Sequence, residues 1–472
     1  MNPKRLPILS AVLILMIAML ACDLTTPSAT EPTASAGSAI SQTLTAIVPT
    51  TPPQSAAPTA TPVPQSASPT ATPVPPTATA TPTEPPVTAR APEMRIAYTD
   101  AGRNLWIWID GTGAARKIVS TGDVTEARIS PDGNLVVFVR TFNYLNFSMW
   151  LINADGTNER LLIPLEEFDA MKNSPDALGA QPYVWDWVPG TRQLAIVSSP
   201  THDGPGMMVN DDLWYVNIDT GELKQMLPPG QGGVFYFSPD GQQIALVTPK
   251  TISLINSDGT NRRQSVLEYP LVSTYGEYKY YATPKWSPDL SFLRVAILPQ
   301  EPLAEPRQNT SIWEIPADGS PAKMIRVVTS MPLLGPELSP DLNHIVYLKE
   351  HGAPADNQRE LHISVSDNSG DTIYQTGQLD FMGWAPDSSR FIFSSGTDNK
   401  AKLGQIGQAA VPFSDVDPVM AVSWLKDGKV IFLHRTSSSW EIRIGAPGGA
   451  SEALVSLPGD PDKFIPNFAI YE

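Results

Sequence analysis

Cysteine is almost missing: Cys22 is the sole one in 472 residues. A domain with no other cysteine has no internal disulfide to hold it, so its stability has to come from a packed core. Histidine is nearly as scarce, and His202, His344, His351, His362 and His434 are scattered without the spacing of metal ligands. The chain contains no Gly-x-Ser-x-Gly elbow, no Walker loop and no His-Glu-x-x-His helix, so it offers no hydrolase, nucleotidase or zinc-protease signature. Positive charge is in deficit, with 32 Lys and Arg against 48 Asp and Glu and a net charge of −16. The acids lie almost entirely beyond residue 92. Such a domain repels a phosphate backbone, and no nucleic-acid partner is expected. Long apolar runs are absent too: Ile8 to Leu20 falls short of the roughly 20 residues of a helical membrane span, and no other segment is longer.

That one apolar run follows a basic start, Lys4 and Arg5, and fits the middle region of a secretory signal peptide. Cys22 comes directly after it. The segment Met19-Leu20-Ala21-Cys22 resembles a bacterial lipobox, with Ala21 as the small residue before the cut. The resemblance implies removal of residues 1–21, lipidation of Cys22, and attachment to the bacterial cell membrane or envelope, facing outside the cytoplasm. A soluble secreted protein with an incidental cysteine, and an uncleaved anchor, are the competing readings.

Residues 22–92 are mainly Thr, Pro, Ala and Ser, and Ala-Thr-Pro-Val-Pro recurs at 60–64 and 71–75. Such a segment has too little apolar surface to offset the entropy of folding, so a disordered linker is expected. Its prolines favour an extended form of about 3.1 Å per residue, a reach on the order of 200 Å. An O-glycosylated stalk is the sharper alternative.

From residue 93 to 472 a phrase returns: Ser130-Pro131-Asp132-Gly133, Val188-Pro189-Gly190, Ser238-Pro239-Asp240-Gly241, Ser287-Pro288-Asp289, Ser339-Pro340-Asp341, Ala385-Pro386-Asp387 and Lys426-Asp427-Gly428. A period of roughly 40 to 58 residues marks a propeller or solenoid. An apolar residue stands two before the proline, as in Ile129, Trp187, Phe237, Trp286, Leu338 and Trp384. A strand follows the phrase, then an aromatic-bearing strand such as Met149 to Ile152, an Asp-Gly turn, and a closing strand. Proline fixes φ, Asp bonds its own backbone and Gly accepts positive φ, which is the chemistry of a tight turn. Four strands per unit is the logic of a propeller blade, whose faces must be buried by its neighbours. The expectation is therefore all-β, with eight blades starting near Met94, Val124, Tyr183, Val234, Thr283, Gly335, Phe381 and Ala421. The first unit lacks an innermost strand, and the C-terminal run Phe464 to Tyr471 is expected to supply it and close the ring. Seven blades is the alternative, because the unit from Phe381 to Phe413 is weak in its last two strands.

This grammar resembles the WD40-like or TolB-like (PD40-type) propeller repeats of many bacterial exported proteins. The resemblance covers residues 93–472 and implies a fold more than an activity. TolB carries an α/β domain before its propeller where this chain has the linker. Prolyl oligopeptidase-type enzymes carry a hydrolase domain that has no counterpart here.

In a propeller, the connections between strands one and two and between three and four share a face, and here they are the tight turns. The insertions 141–148, 164–182, 200–212, 268–282, 299–310 and 350–360 all fall on the opposite face, where a rigid scaffold can present binding loops. Phe142, Tyr144 and Phe147 form one aromatic cluster there; Tyr269, Tyr275, Tyr278, Tyr280 and Tyr281 form another. They read either as a binding surface or as rings packing the loops onto the blades. Asp203, Asn210, Asp211 and Asp212 offer oxygen ligands for Ca²⁺, or are solvated loop acids. No other cofactor is expected. The leading functional expectation is a membrane-anchored binding or scaffold protein for a protein, peptide or glycan. A propeller hydrolase or lyase acting on extracellular polymers and a structural component of an envelope complex are the alternatives, and no residue set marks a catalytic centre.

Overall fold

The computed structural model describes residues 93–472 apart from 144, 204–207, 353–355, 368 and 397–399. The signal segment, Cys22 and the linker therefore lie outside the described residues, as does Tyr144. Eight four-stranded antiparallel sheets follow one another around a ring. Seven of them are contiguous in sequence, running innermost to outermost strand. The first is not: Arg95–Thr99, Leu105–Ile109 and Arg116–Val119 are joined on the inside by Phe468–Tyr471. Arg95 pairs with Tyr471, and Tyr98 with Phe468, so the last strand closes the ring as expected.

The unit that reads weakly in sequence is a full blade, made of Leu379–Trp384, Arg390–Ser395, Lys400–Gln405 and Gln408–Pro412. Its outermost strand is exposed at most positions, so it carries no apolar alternation to read. In all eight blades the register shifts between the third and fourth strands. A bulge there increases the twist and turns the exposed edge away from neighbouring chains.

The recurring phrase has a role for its serine that its turn chemistry alone does not reveal. Ser130 Oγ donates to Asp132 Oδ1 (2.5 Å) and accepts the amide of Leu135 (2.9 Å), and the Asp accepts the amide of Asn134 (3.0 Å). The same set recurs at Ser238 and Asp240, Ser287 and Asp289, and Ser339 and Asp341. All four serines are buried. Their hydroxyls close the turn and start the next strand together. Where the glycine is lost, the left-handed backbone stays: Leu290, Leu342 and Ser388 hold φ near +60° (63°, 62° and 61°).

The core lies in the seams. Eight apolar clusters each join two neighbouring blades, one per seam. Alternation along the second strand explains this: Ile244 and Leu246 face the third blade, while Ala245 and Val247 face the fifth. Cations staple the same seams, each reaching into the next blade. Arg128 Nε donates to Trp185 O (2.8 Å) and lies 4.0 Å from Asp186, with its guanidinium 4.3 Å from the Trp185 ring centre. Lys285, at the same place in the phrase, donates to Leu338 O and lies 3.8 Å from Glu337. Arg116, Arg326 and Arg359 bond Ala154, Val365 and Leu379 carbonyls in the same sense (3.0, 2.7 and 2.8 Å). The connection after Ile163, expected as an insertion, contains a short helix α1, Leu165–Met171, whose Phe168 and Met171 cap a seam.

Candidate functional site

The tight turns occupy one face of the ring, and their polar groups are consumed internally. Asp132, Asp240, Asp289 and Asp341 bond their own turns, and Ser287 and Ser291 hold the Asp289 carboxyl down at about 2. The described parts of the long connections, 164–178, 202–203, 208–212, 269–284, 298–309, 351–352 and 356–358, occupy the other face; the expected insertion 141–148 is instead mostly strand, within Leu135–Phe142 and Asn146–Asn153.

There residues 208–212 of the third blade meet the connection 269–284 between the fourth and fifth. Asp212 is fully buried and fixed by the Ser198 amide and Trp214 Nε1, both at 2.8 Å. Asn210 is buried beside it and bonds Met171 O (2.9 Å) and Ser198 Oγ (2.7 Å). These anchors aim Asp211 between them. Its backbone is left-handed (φ 48°), and the Gly232 amide donates to its carbonyl. Gly232 is required at that approach, because a Cβ would strike the Asp212 backbone. The Asp211 carboxylate accepts the Tyr281 hydroxyl at 3.0 Å, and the Tyr281 ring lies 6.4 Å from that of Tyr183 on the innermost strand of the third blade (Gly179–Trp187).

Burial pushes the Asp211 carboxyl up to about 6, against the opposing effects of the Tyr281 bond and the Lys279 charge. The Asp212 carboxyl is raised as well, again by burial first. The Tyr281 phenol is pushed up by burial and then by the Asp211 charge. Among the described residues no cation stands within ion-pair distance of Asp211.

The other expected site residues separate. Tyr269 and Tyr280 pack the fourth-to-fifth connection onto the blades, bonding Thr248 O and Ala296 O, and their rings meet edge to face at 6.4 Å. Phe147 packs against the second seam, and Tyr278 is half-buried. Phe142 and Tyr275 do not pack: they are 71% and 55% exposed. Tyr275 also holds a left-handed backbone (φ 56°) and reaches Glu301 at 3.0 Å. Asp203 is exposed, Asp212 is spent on Ser198 and Trp214, and among the described residues no three His, Cys, Asp or Glu side chains converge as metal ligands. His362 is a seam residue. Its nitrogens face Asp371 (3.2 Å) and Glu360 (3.0 Å), and its ring stacks on Tyr347.

Sequence reading picks out Asp211 and Tyr281 but in different roles, one as a metal-ligand candidate and one as an aromatic. It does not single out Tyr183 or Lys279. Nothing local could have paired Asp211 with a tyrosine 70 positions away.

Scans against family models and curated proteins return no match. Among solved structures the chain is similar to an oligogalacturonate lyase from Vibrio parahaemolyticus (14% identity, TM-score 0.42, 70% of this chain and 80% of that chain). It is also similar to TolB from Acinetobacter baumannii (15% identity, TM-score 0.29, 58% and 61%) and to dipeptidyl peptidase 4 from Porphyromonas gingivalis (12% identity, TM-score 0.46, 70% and 52%). Both the fold and the site rest on this chain's own geometry: the described residues form an eight-bladed β-propeller.

Proposed function

We propose that this chain is a lipid-anchored, exported binding protein that holds a protein partner on its long-loop face. One observation carries the reading. Fourteen large apolar or aromatic side chains are exposed among the described residues; nine sit in long-face connections or at that end of a strand, five on outermost strands, and none in the tight turns. Phe142, Leu178, Met208, Leu271, Tyr275 and Leu303 are among the nine. Single exposed apolar residues are ordinary, but their concentration on one face is the mark of an interaction surface. The mixture of Phe, Leu, Met and Tyr matches the core of a protein interface, where Tyr, Phe and Met are enriched, and favours a protein over a glycan.

Site-specific photo-cross-linking in the native cells tests this. A photoreactive residue at Phe142 or Tyr275 is expected to trap a discrete protein adduct, and one at Asp240 on the tight-turn face is not. Adducts of equal yield from both faces, or from Asp240 alone, would refute the assignment.

A further inference from the structure

We propose that Asp211, Tyr281 and Tyr183 form a receptor for a cationic side chain, a lysine or arginine of the partner. The inference rests on the long-loop face being the binding face and names the chemistry that one part of it reads.

Asp211 is half-buried, has no ion pair among the described residues, and sits in a left-handed backbone that asparagine tolerates equally well. Asparagine would also accept the Tyr281 hydroxyl. A carboxylate at this position therefore adds nothing to the fold, and burying an uncompensated charge costs stability. The construction around it is nonetheless specific: Asp212 and Asn210 are locked on either side, and Gly232 is packed against the backbone. What the charge offers is directional. The carboxylate is fixed by the Tyr281 hydroxyl at 3.0 Å, and the Tyr281 ring lies 6.4 Å from that of Tyr183. A carboxylate held by a tyrosine hydroxyl, with a second tyrosine ring next to the first, offers an ammonium or guanidinium group a charge-assisted hydrogen bond and ring quadrupoles close by. The charge of the exposed Lys279 acts on Asp211 without an ion pair among the described residues, and so competes with the ligand.

The probe is acetyl-Gly-Lys-Gly-amide, with its norleucine counterpart as control, at about 5 mM, the range of a single weak contact. Saturation-transfer NMR on the full-length protein is expected to give a lysine ε-methylene signal roughly fivefold above the norleucine signal, the scale of one cation–aromatic contact. Asp211→Asn should remove that excess, and Lys279→Met should increase it. Equal signals from the two peptides, or an excess unchanged in Asp211→Asn, overturn the proposal. If the lysine excess is absent while the cross-links at Phe142 and Tyr275 persist, this inference falls and the binding-face reading stands. If both are absent, both fall.

Discussion

The carboxyl of Asp211 holds its proton more tightly in the folded chain than in the unfolded one, about 6 against 3.8, because burial penalises the anion. The sign of the consequence follows from linkage. Between those two values the folded state binds more protons, so stability falls as pH rises from about 4 through about 6. A shift of that size corresponds to about 2–3 kcal/mol. Asp211→Asn should therefore match the wild type near pH 4 and exceed it near pH 7.5, by roughly 2–3 °C in melting temperature for a domain of this size. Melting curves at the two pH values check this, and a variant less stable at pH 7.5 would contradict it. The serine of the recurring phrase is the opposite case. It is buried, doubly bonded and purely structural, and it holds the adjoining aspartate ionised. Two kinds of aspartate thus occur on the two faces. Those in the phrase are legible as turn formers from their Pro and Gly neighbours. Asp211 is not legible as a site, because its special character comes from burial beside Tyr281 and not from the residues next to it.

A blade is the unit at the next scale, and most of it can be read locally. The strand after each phrase is a short apolar run because both its faces meet other blades, and the outermost strand is faint because it meets solvent on one face. That is why the seventh blade looks deficient in sequence and is complete in the fold. The first blade depends on a strand from the far end of the chain. Phe468–Tyr471 pairs with Arg95–Thr99, Phe464 O accepts Trp440 Nε1 (2.5 Å), and Phe464, Phe468 and Ile470 pack into the seam between the eighth and first blades. Removing residues 464–472 forfeits these partly buried side chains and exposes a strand edge, a loss of about 5 kcal/mol from the burial alone. Calorimetry of the truncated chain should show a lower and broader transition, restored by adding the 464–472 peptide. An unchanged transition would mean that this strand does not close the ring.

Across the whole molecule, the apolar seams and the Arg and Lys staples make the ring a rigid carrier, and the asymmetry of its loops gives it two different faces. No described helix is long and apolar enough to cross a membrane. In the proposed function the anchor is Cys22, joined to the propeller through the Thr- and Pro-rich segment. A lipid anchor gains its hold from buried methylenes, so its loss should be decisive. Cys22→Ser is expected to lower the membrane-pelleted fraction by about tenfold or more and to release an intact propeller. Unchanged retention in the pellet would remove the lipid anchor from the model of function.

The sequence by itself determined the repeat, the number of blades within one, the closing strand and the division into a plain and an elaborated face. Each of these is written in short stretches, where turn chemistry and strand alternation act between near neighbours. Only the tertiary structure decided which aromatics are packing and which are presented, and it alone brought Asp211 to Tyr281 and Tyr281 to Tyr183. Those residues belong to different connections and blades. Their meeting depends on how far each loop folds over the ring, and burial, which sets the character of the acid, exists only once the blades have assembled.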